Sequence, residues 1–158
     1  MKNNKGFSYV EMLLVLAIMG IMVGMITVSA SLVSRTSAAR VSETLETNCN
    51  QARVNALSKG TANGYLNIAI DGGSVYTAVG PVYTSKADVK SHGEKIGSGK
   101  LELFVGGSTF DEDNEVLHIQ YDQGTGGIYG GANTAVMVKN GNKSSSFIVV
   151  GSTGKIKK

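Results

Sequence analysis

The sequence is poor in several things at once. Its 158 residues include one cysteine, one proline, no tryptophan and two histidines, and only 17% are charged. A single cysteine, Cys49, excludes an intramolecular disulfide framework and any zinc or iron–sulfur site built from several thiolates. A single proline, Pro81, excludes a proline-rich linker protein. Charge of neither sign dominates: 15 Lys and Arg stand against 12 Asp and Glu, a formal charge of +3. The length suits one domain, or one domain with an appendage. A mean hydropathy of +0.03 and 42% apolar residues read as an ordinary soluble globule.

Those averages hide a gradient. Between Phe7 and Val33, 20 of 27 residues are apolar and Glu11 is the one charge. Five of the six methionines lie at or before Met25, and 18 of the 21 glycines lie from Gly60 onward. Residues 12–34 carry no charge. A helix of about 20 apolar residues spans a bilayer core, so 7–33 reads as membrane-spanning. Lys2 and Lys5 lie on its cytoplasmic side by the positive-inside rule. Two simpler readings compete. Val28-Ser29-Ala30 ahead of Ser31 offers a secretory cleavage site, but the apolar run exceeds the roughly 7–15 residues of a signal peptide core. An ordinary anchor leaves the glutamate at the start of the run unexplained, and a carboxylate in lipid is costly and functional by default.

The stretch Lys5-Gly6-Phe7-Ser8-Tyr9-Val10-Glu11-Met12-Leu13-Leu14 resembles the leader junction of type IV pilins and type II secretion pseudopilins. The resemblance implies removal of residues 1–6 by prepilin peptidase between Gly6 and Phe7, and N-methylation of Phe7. It also implies a single-pass precursor in the cytoplasmic membrane, later extracted by an assembly platform into an extracellular or periplasmic filament of pilins. Glu11 is then the assembly residue, pairing with the new amine of a neighbouring subunit. Gly20 and Gly24, a small-xxx-small pair, allow close helix packing in the filament core.

Beyond Ser34 the chain turns polar while the helical period persists. Ala38, Val41, Leu45, Cys49, Ala52 and Ala56 recur at steps of three and four, one face of an amphipathic helix. Gly60 supplies the stop, so residues 34–59 continue the same helix and 60–158 form a glycine-rich head. There, 65–70, 75–79, 101–105, 116–121, 134–139 and 147–150 read as strands, with a short edge strand in 154–157. The segment 80–99 is polar and poorly patterned and reads as a loop. The fold class is α+β: a long N-terminal helix packed on a mainly antiparallel sheet. Gln51–Gly60 and Phe147–Ile156 are similar to the helix end and last hairpin of GspH/FimT-type minor pilins and pseudopilins. That likeness implies a pilin-like head and a structural role in a pilus or secretion filament. A major pilin, or a minor pilin that binds DNA for natural transformation, is the alternative.

No catalytic constellation is visible, so no enzyme activity and no cofactor is expected. His92 falls in the polar loop and His118 on the exposed side of a strand. Cys49 reads as a small core residue. The acidic run Asp111-Glu112-Asp113-Asn114-Glu115 offers Asp111, Asp113 and Glu115 as weak calcium candidates. It lacks the glycine and spaced glutamate of an EF-hand, so a solvated turn is expected and no metal site. Lys155, Lys157 and Lys158 are candidate contacts to DNA phosphates. Removing residues 1–6 takes away Lys2 and Lys5 and lowers the side-chain charge from +3 to +1, which weakens the case for nucleic acid.

Overall fold

The computed structural model describes the backbone of residues 9–158 and the side chains of 9–22 and 37–158. The chain divides into two units, Met1–Ser34 and Arg35–Lys158.

Helix α1 runs Tyr9–Lys59. No proline interrupts it, and Gly60 follows its last residue. In the first unit, residues 9–22 are exposed on every side of the helix. In the second, the periodic residues do what their spacing predicts: Ala38, Val41, Leu45, Cys49, Ala52 and Ala56 are all buried in one cluster. Thr44, Thr47 and Ser58 lie off that face and donate their hydroxyls to carbonyls four residues back, which satisfies them without interrupting the helix.

The head contains nine strands: β1 Tyr65–Asp71, β2 Ser74–Gly80, β3 Glu94–Ser98, β4 Leu101–Val105, β5 Ser108–Phe110, β6 Leu117–Gln120, β7 Thr134–Asn140, β8 Lys143–Val149 and β9 Ile156–Lys157. They form two antiparallel sheets, ordered β3-β2-β1-β6 and β5-β4-β7-β8-β9. The expectation of one sheet is therefore corrected. Strands β6 and β7 do not pair, and the glycine-rich link between them carries the chain from one sheet to the other. Both sheets feed one core with the helix. Leu66, Ile68, Ile70 and Val75 enter it from the first sheet, and Leu103, Val136, Val138, Phe147 and Val149 from the second. At about 25 cal/mol per Å² of apolar surface removed from water, this shared core is the main stabilising term of the head.

The loop reading of 80–99 is also corrected. It holds helix α2, Lys86–His92, followed by strand β3. Ser85 caps α2, its hydroxyl accepting from the Asp88 backbone N–H at 3.1 Å. Val89 is the helix's buried residue and packs with Ala69 and Ala78 in a second small core. Both faces of β1 are thereby covered, one by α1 and one by α2. That is why Asn67 and Ala69 are fully buried beside the alternating Leu66, Ile68 and Ile70.

Candidate functional site

The candidate residues fall into an N-terminal set and a head set. Gly6 and Phe7, the predicted processing pair, lie outside the described residues. Glu11 is in the first turn of α1. Along this stretch Tyr9, Leu14, Leu16 and Met22 are each more than 60% exposed. Burying one such side chain gains about 1.5–3 kcal/mol, so a contiguous set in water is strongly unfavourable and marks a surface that some other apolar phase covers. Gly20 has open space where a Cβ would sit, with nothing within 4 Å. Close approach at that glycine has no partner within the described chain. Gly24 lies where side chains are not described. Among the described residues no helix is long and apolar enough to cross a membrane. The predicted span 7–33 reaches in part beyond them.

In the head, the three tail lysines are not equivalent. Lys158 is 3.3 Å from the Glu46 carboxylate on α1. Lys155 and Lys157 are exposed. Lys139, in the neighbouring hairpin, pairs with Glu102 at 3.4 Å. Exposed pairs of this kind are worth about 0–1 kcal/mol, yet each one tempers the local positive field.

The acidic run is an exposed turn held by its own backbone. The Asp111 N–H donates to Asn114 Oδ1 at 3.0 Å, and the Asp113 N–H to Asp111 Oδ1 at 3.2 Å. Glu112 Oε1 accepts from the Gly72 N–H at 2.6 Å, and its carbonyl accepts from Lys86. Asp111, Asp113 and Glu115 thus belong to a loop docked on the β1–β2 turn. Among the described residues no three His, Cys, Asp or Glu side chains come together as a metal site would need.

Burial pushes the Cys49 thiol up to about 11. It is a core residue facing the buried Tyr121 hydroxyl, whose own pKa burial also raises. His118 lies on the outer face as predicted, with a partner the sequence did not disclose. Its Nδ1–H donates to Asn67 Oδ1 at 2.9 Å, and partial burial of the ring lowers its pKa. Asn67 Oδ1 also accepts from the Tyr83 N–H at 3.1 Å, and its amide donates to the carbonyls of Ala78 and Pro81 at 3.2 and 2.9 Å. An asparagine between leucine and isoleucine in a strand was the available signal, since a buried amide must be fully bonded.

A second unforeseen node joins the helix to the C-terminal strands. Arg53 Nε donates to the Gly126 carbonyl at 3.1 Å. Gly154 packs against that same carbonyl, so closely that a Cβ there would lie 2.0 Å from its oxygen. Arg53 and Gly154, from the two family-like segments Gln51–Gly60 and Phe147–Ile156, thus meet at one carbonyl.

Residues 1–27 match the model of the prokaryotic N-terminal methylation motif. That match supports a type IV pilin-like precursor, processed by prepilin peptidase and assembled with other pilins. No curated protein and no solved structure gives a significant match to the chain.

Proposed function

We propose that the chain is a structural subunit of a type IV pilus or type II secretion-like filament, a minor pilin or pseudopilin of the GspH/FimT kind. In this reading it is cut between Gly6 and Phe7 and methylated on Phe7. It is held in the cytoplasmic membrane through 7–33 as a single-pass precursor, then drawn into a filament through α1. Its work is assembly and surface display, with no substrate turned over. One observation carries the reading: a methylation motif at residues 1–27 that runs into a helix whose apolar side chains are exposed. Such a helix requires lipid before assembly and other helices after it, and a filament core supplies the second. Engagement of Lys158 by Glu46 leaves the tail a weaker phosphate site than its composition implies, so the structural role is preferred to DNA capture.

Mass spectrometry of the N-terminus in sheared, purified filaments tests this. The expected terminus is N-methylated Phe7, at low copy number relative to the main subunit. A terminus at Met1 or Ser31 overturns the reading, and high copy number replaces the minor role with that of a major pilin.

A further inference from the structure

We propose that the open edge of strand β8 is a docking site for an acidic, extended segment of another polypeptide, which adds a strand to the second sheet. Strand β8 runs Lys143–Val149, and β9 pairs with its last two residues, Ile148 and Val149. Backbone parity shows what is left over. In an antiparallel sheet, alternate residues turn their N–H and C=O toward the same neighbour. The Val150 N–H donates to the Lys155 carbonyl at 2.8 Å, so Val150, Ile148, Ser146 and Ser144 all direct their peptide groups away from β7. Ile148 lies opposite Lys157. Ser146 and Ser144 have no strand opposite them on that side, and both are exposed. Each therefore offers an N–H and a C=O in line with the pairing that β9 begins.

Space for a strand lies beside this edge. A hollow of about 560 Å³ is lined by Asn142, Lys143, Ser144 and Ser145 and by Ala39 of α1. Ser145 shares the helix-facing side of β8 with the buried Phe147 and Val149. Ala39 and Ser145 are small, so the side chains of an added strand that point toward the helix have room. The open stretch, residues 143–147, is about 17 Å long at roughly 3.4 Å per residue.

In strand addition the main chain supplies affinity and the side chains supply selectivity. Here the selectivity is charge. The 36 residues after Asp122 contain five lysines and no aspartate or glutamate. Lys143 stands at one end of the open stretch and Lys157 at the other. Among the described residues, Lys139 and Lys158 have carboxylate partners, Glu102 and Glu46, and Lys143, Lys155 and Lys157 have none. A second copy of the same edge would set lysine against lysine, the device by which edge strands resist self-pairing. The phosphates of a nucleic acid accept hydrogen bonds and donate none, so they would leave the Ser144 and Ser146 carbonyls unpaired. A peptide backbone both donates and accepts, and aspartate or glutamate side chains on it supply the countercharge.

The test uses the full, isotope-labelled chain in a zwitterionic detergent at low salt, followed by amide NMR. Three capped hexapeptides are titrated: one alternating glutamate and valine, one alternating lysine and valine, and the glutamate peptide with every backbone nitrogen methylated. The unmodified glutamate peptide is expected to shift the Ser144 and Ser146 amides saturably and to slow their hydrogen exchange. The other two peptides are expected to do neither. Ser146→Pro removes an N–H that the fold does not use, at an edge position where proline is tolerated. It is expected to leave Tm unchanged and to weaken the peptide Kd about tenfold, the equivalent of one hydrogen bond. Lys143→Gln is expected to weaken binding and to flatten its salt dependence. No saturable shift at these amides overturns the proposal. So does equal binding of the lysine or the methylated peptide, or an affinity that both variants leave unchanged. Broadening of the two amides with protein concentration alone, relieved by Ser146→Pro, overturns it in favour of a second copy. Tighter binding of a short DNA duplex at the same amides overturns it in favour of nucleic acid.

Discussion

Two glycines with nearly the same backbone conformation separate the cost of left-handed geometry from the cost of close packing. Gly141, in the β7–β8 turn, has φ +59° and nothing within 4 Å of an added Cβ. Gly154 has φ +64°, but an added Cβ would stand 2.0 Å from the Gly126 oxygen and 2.9 Å from Arg53 Cδ. Placing alanine in the left-handed region costs about 1–2 kcal/mol, and both variants incur that. The loss of unfolded-chain entropy on replacing glycine is also common to both. Gly154→Ala must in addition displace the Gly126 carbonyl, which accepts from Arg53 Nε at 3.1 Å. A hydrogen bond to a charged group is worth about 1.5–3 kcal/mol. Gly154→Ala is therefore expected to cost about 2 kcal/mol more than Gly141→Ala. For a chain of this size that is a further drop of about 4–8 °C in Tm. Thermal unfolding of the two variants in detergent, followed by tyrosine circular dichroism, reads the difference directly. Equal shifts would refute the reasoning, because the packing of Gly154 on Gly126 would then carry no weight.

The remaining predictions concern charge and buried polarity. Glu11→Ala is expected to leave cleavage after Gly6 intact and to reduce incorporation into filaments. A mispaired buried charge is worth about 3–5 kcal/mol, and normal abundance of the variant in sheared filaments would remove Glu11 from the assembly step. The Asp71 carboxyl is held below the usual aspartate value by its hydrogen bond to Lys90, at 2.6 Å, and by that cation's charge. Its contribution to stability is accordingly present above the unfolded aspartate value of about 3.9 and lost as pH falls through the lower folded value. Lys90→Met should return the NMR titration midpoint of Asp71 to the ordinary range while leaving that of Asp122 depressed. Asp122 owes its shift to the Thr125 backbone N–H, so joint movement of both midpoints would contradict the local account. Asn67→Leu strands the Tyr83 N–H and the carbonyls of Ala78 and Pro81. A loss of about 2–4 kcal/mol is expected by analogy with other buried unsatisfied groups, together with faster hydrogen exchange at Tyr83. Unchanged exchange there would show that the amide does not hold this loop.

The sequence was most informative where a period repeats. Six small or branched residues from Ala38 to Ala56 mark a helix face, and all six are buried. Asp71-Gly72-Gly73 and Asn140-Gly141-Asn142 mark turns, and strands begin and end at both. Helix α2 escaped because it has one buried residue, Val89, and a single anchor makes no period. Its capping pair, Ser85 and Asp88, was the readable signal. Strand β5 spans three residues, too few to alternate visibly. The split into two sheets turns on which distant strands pair, β1 with β6 and β4 with β7, and local pattern does not encode that choice. Thr77 reads along the chain as an ordinary strand threonine, and its burial follows only once β3 is paired beside it with Glu94 opposite.

The two-residue strand β9 bears on how this protein is best handled at the bench. Ile156 and Lys157 close the edge of the second sheet against Val149 and Ile148, and Lys158 reaches Glu46. A purification or epitope tag placed beside Lys158 would pull on a pairing that has only two residues to hold it. The β4–β5 turn is the better host. Gly106 and Gly107 there meet nothing within 4 Å, and insertions are tolerated best at exposed turn tips. Labels belong at Gly106-Gly107, away from β9.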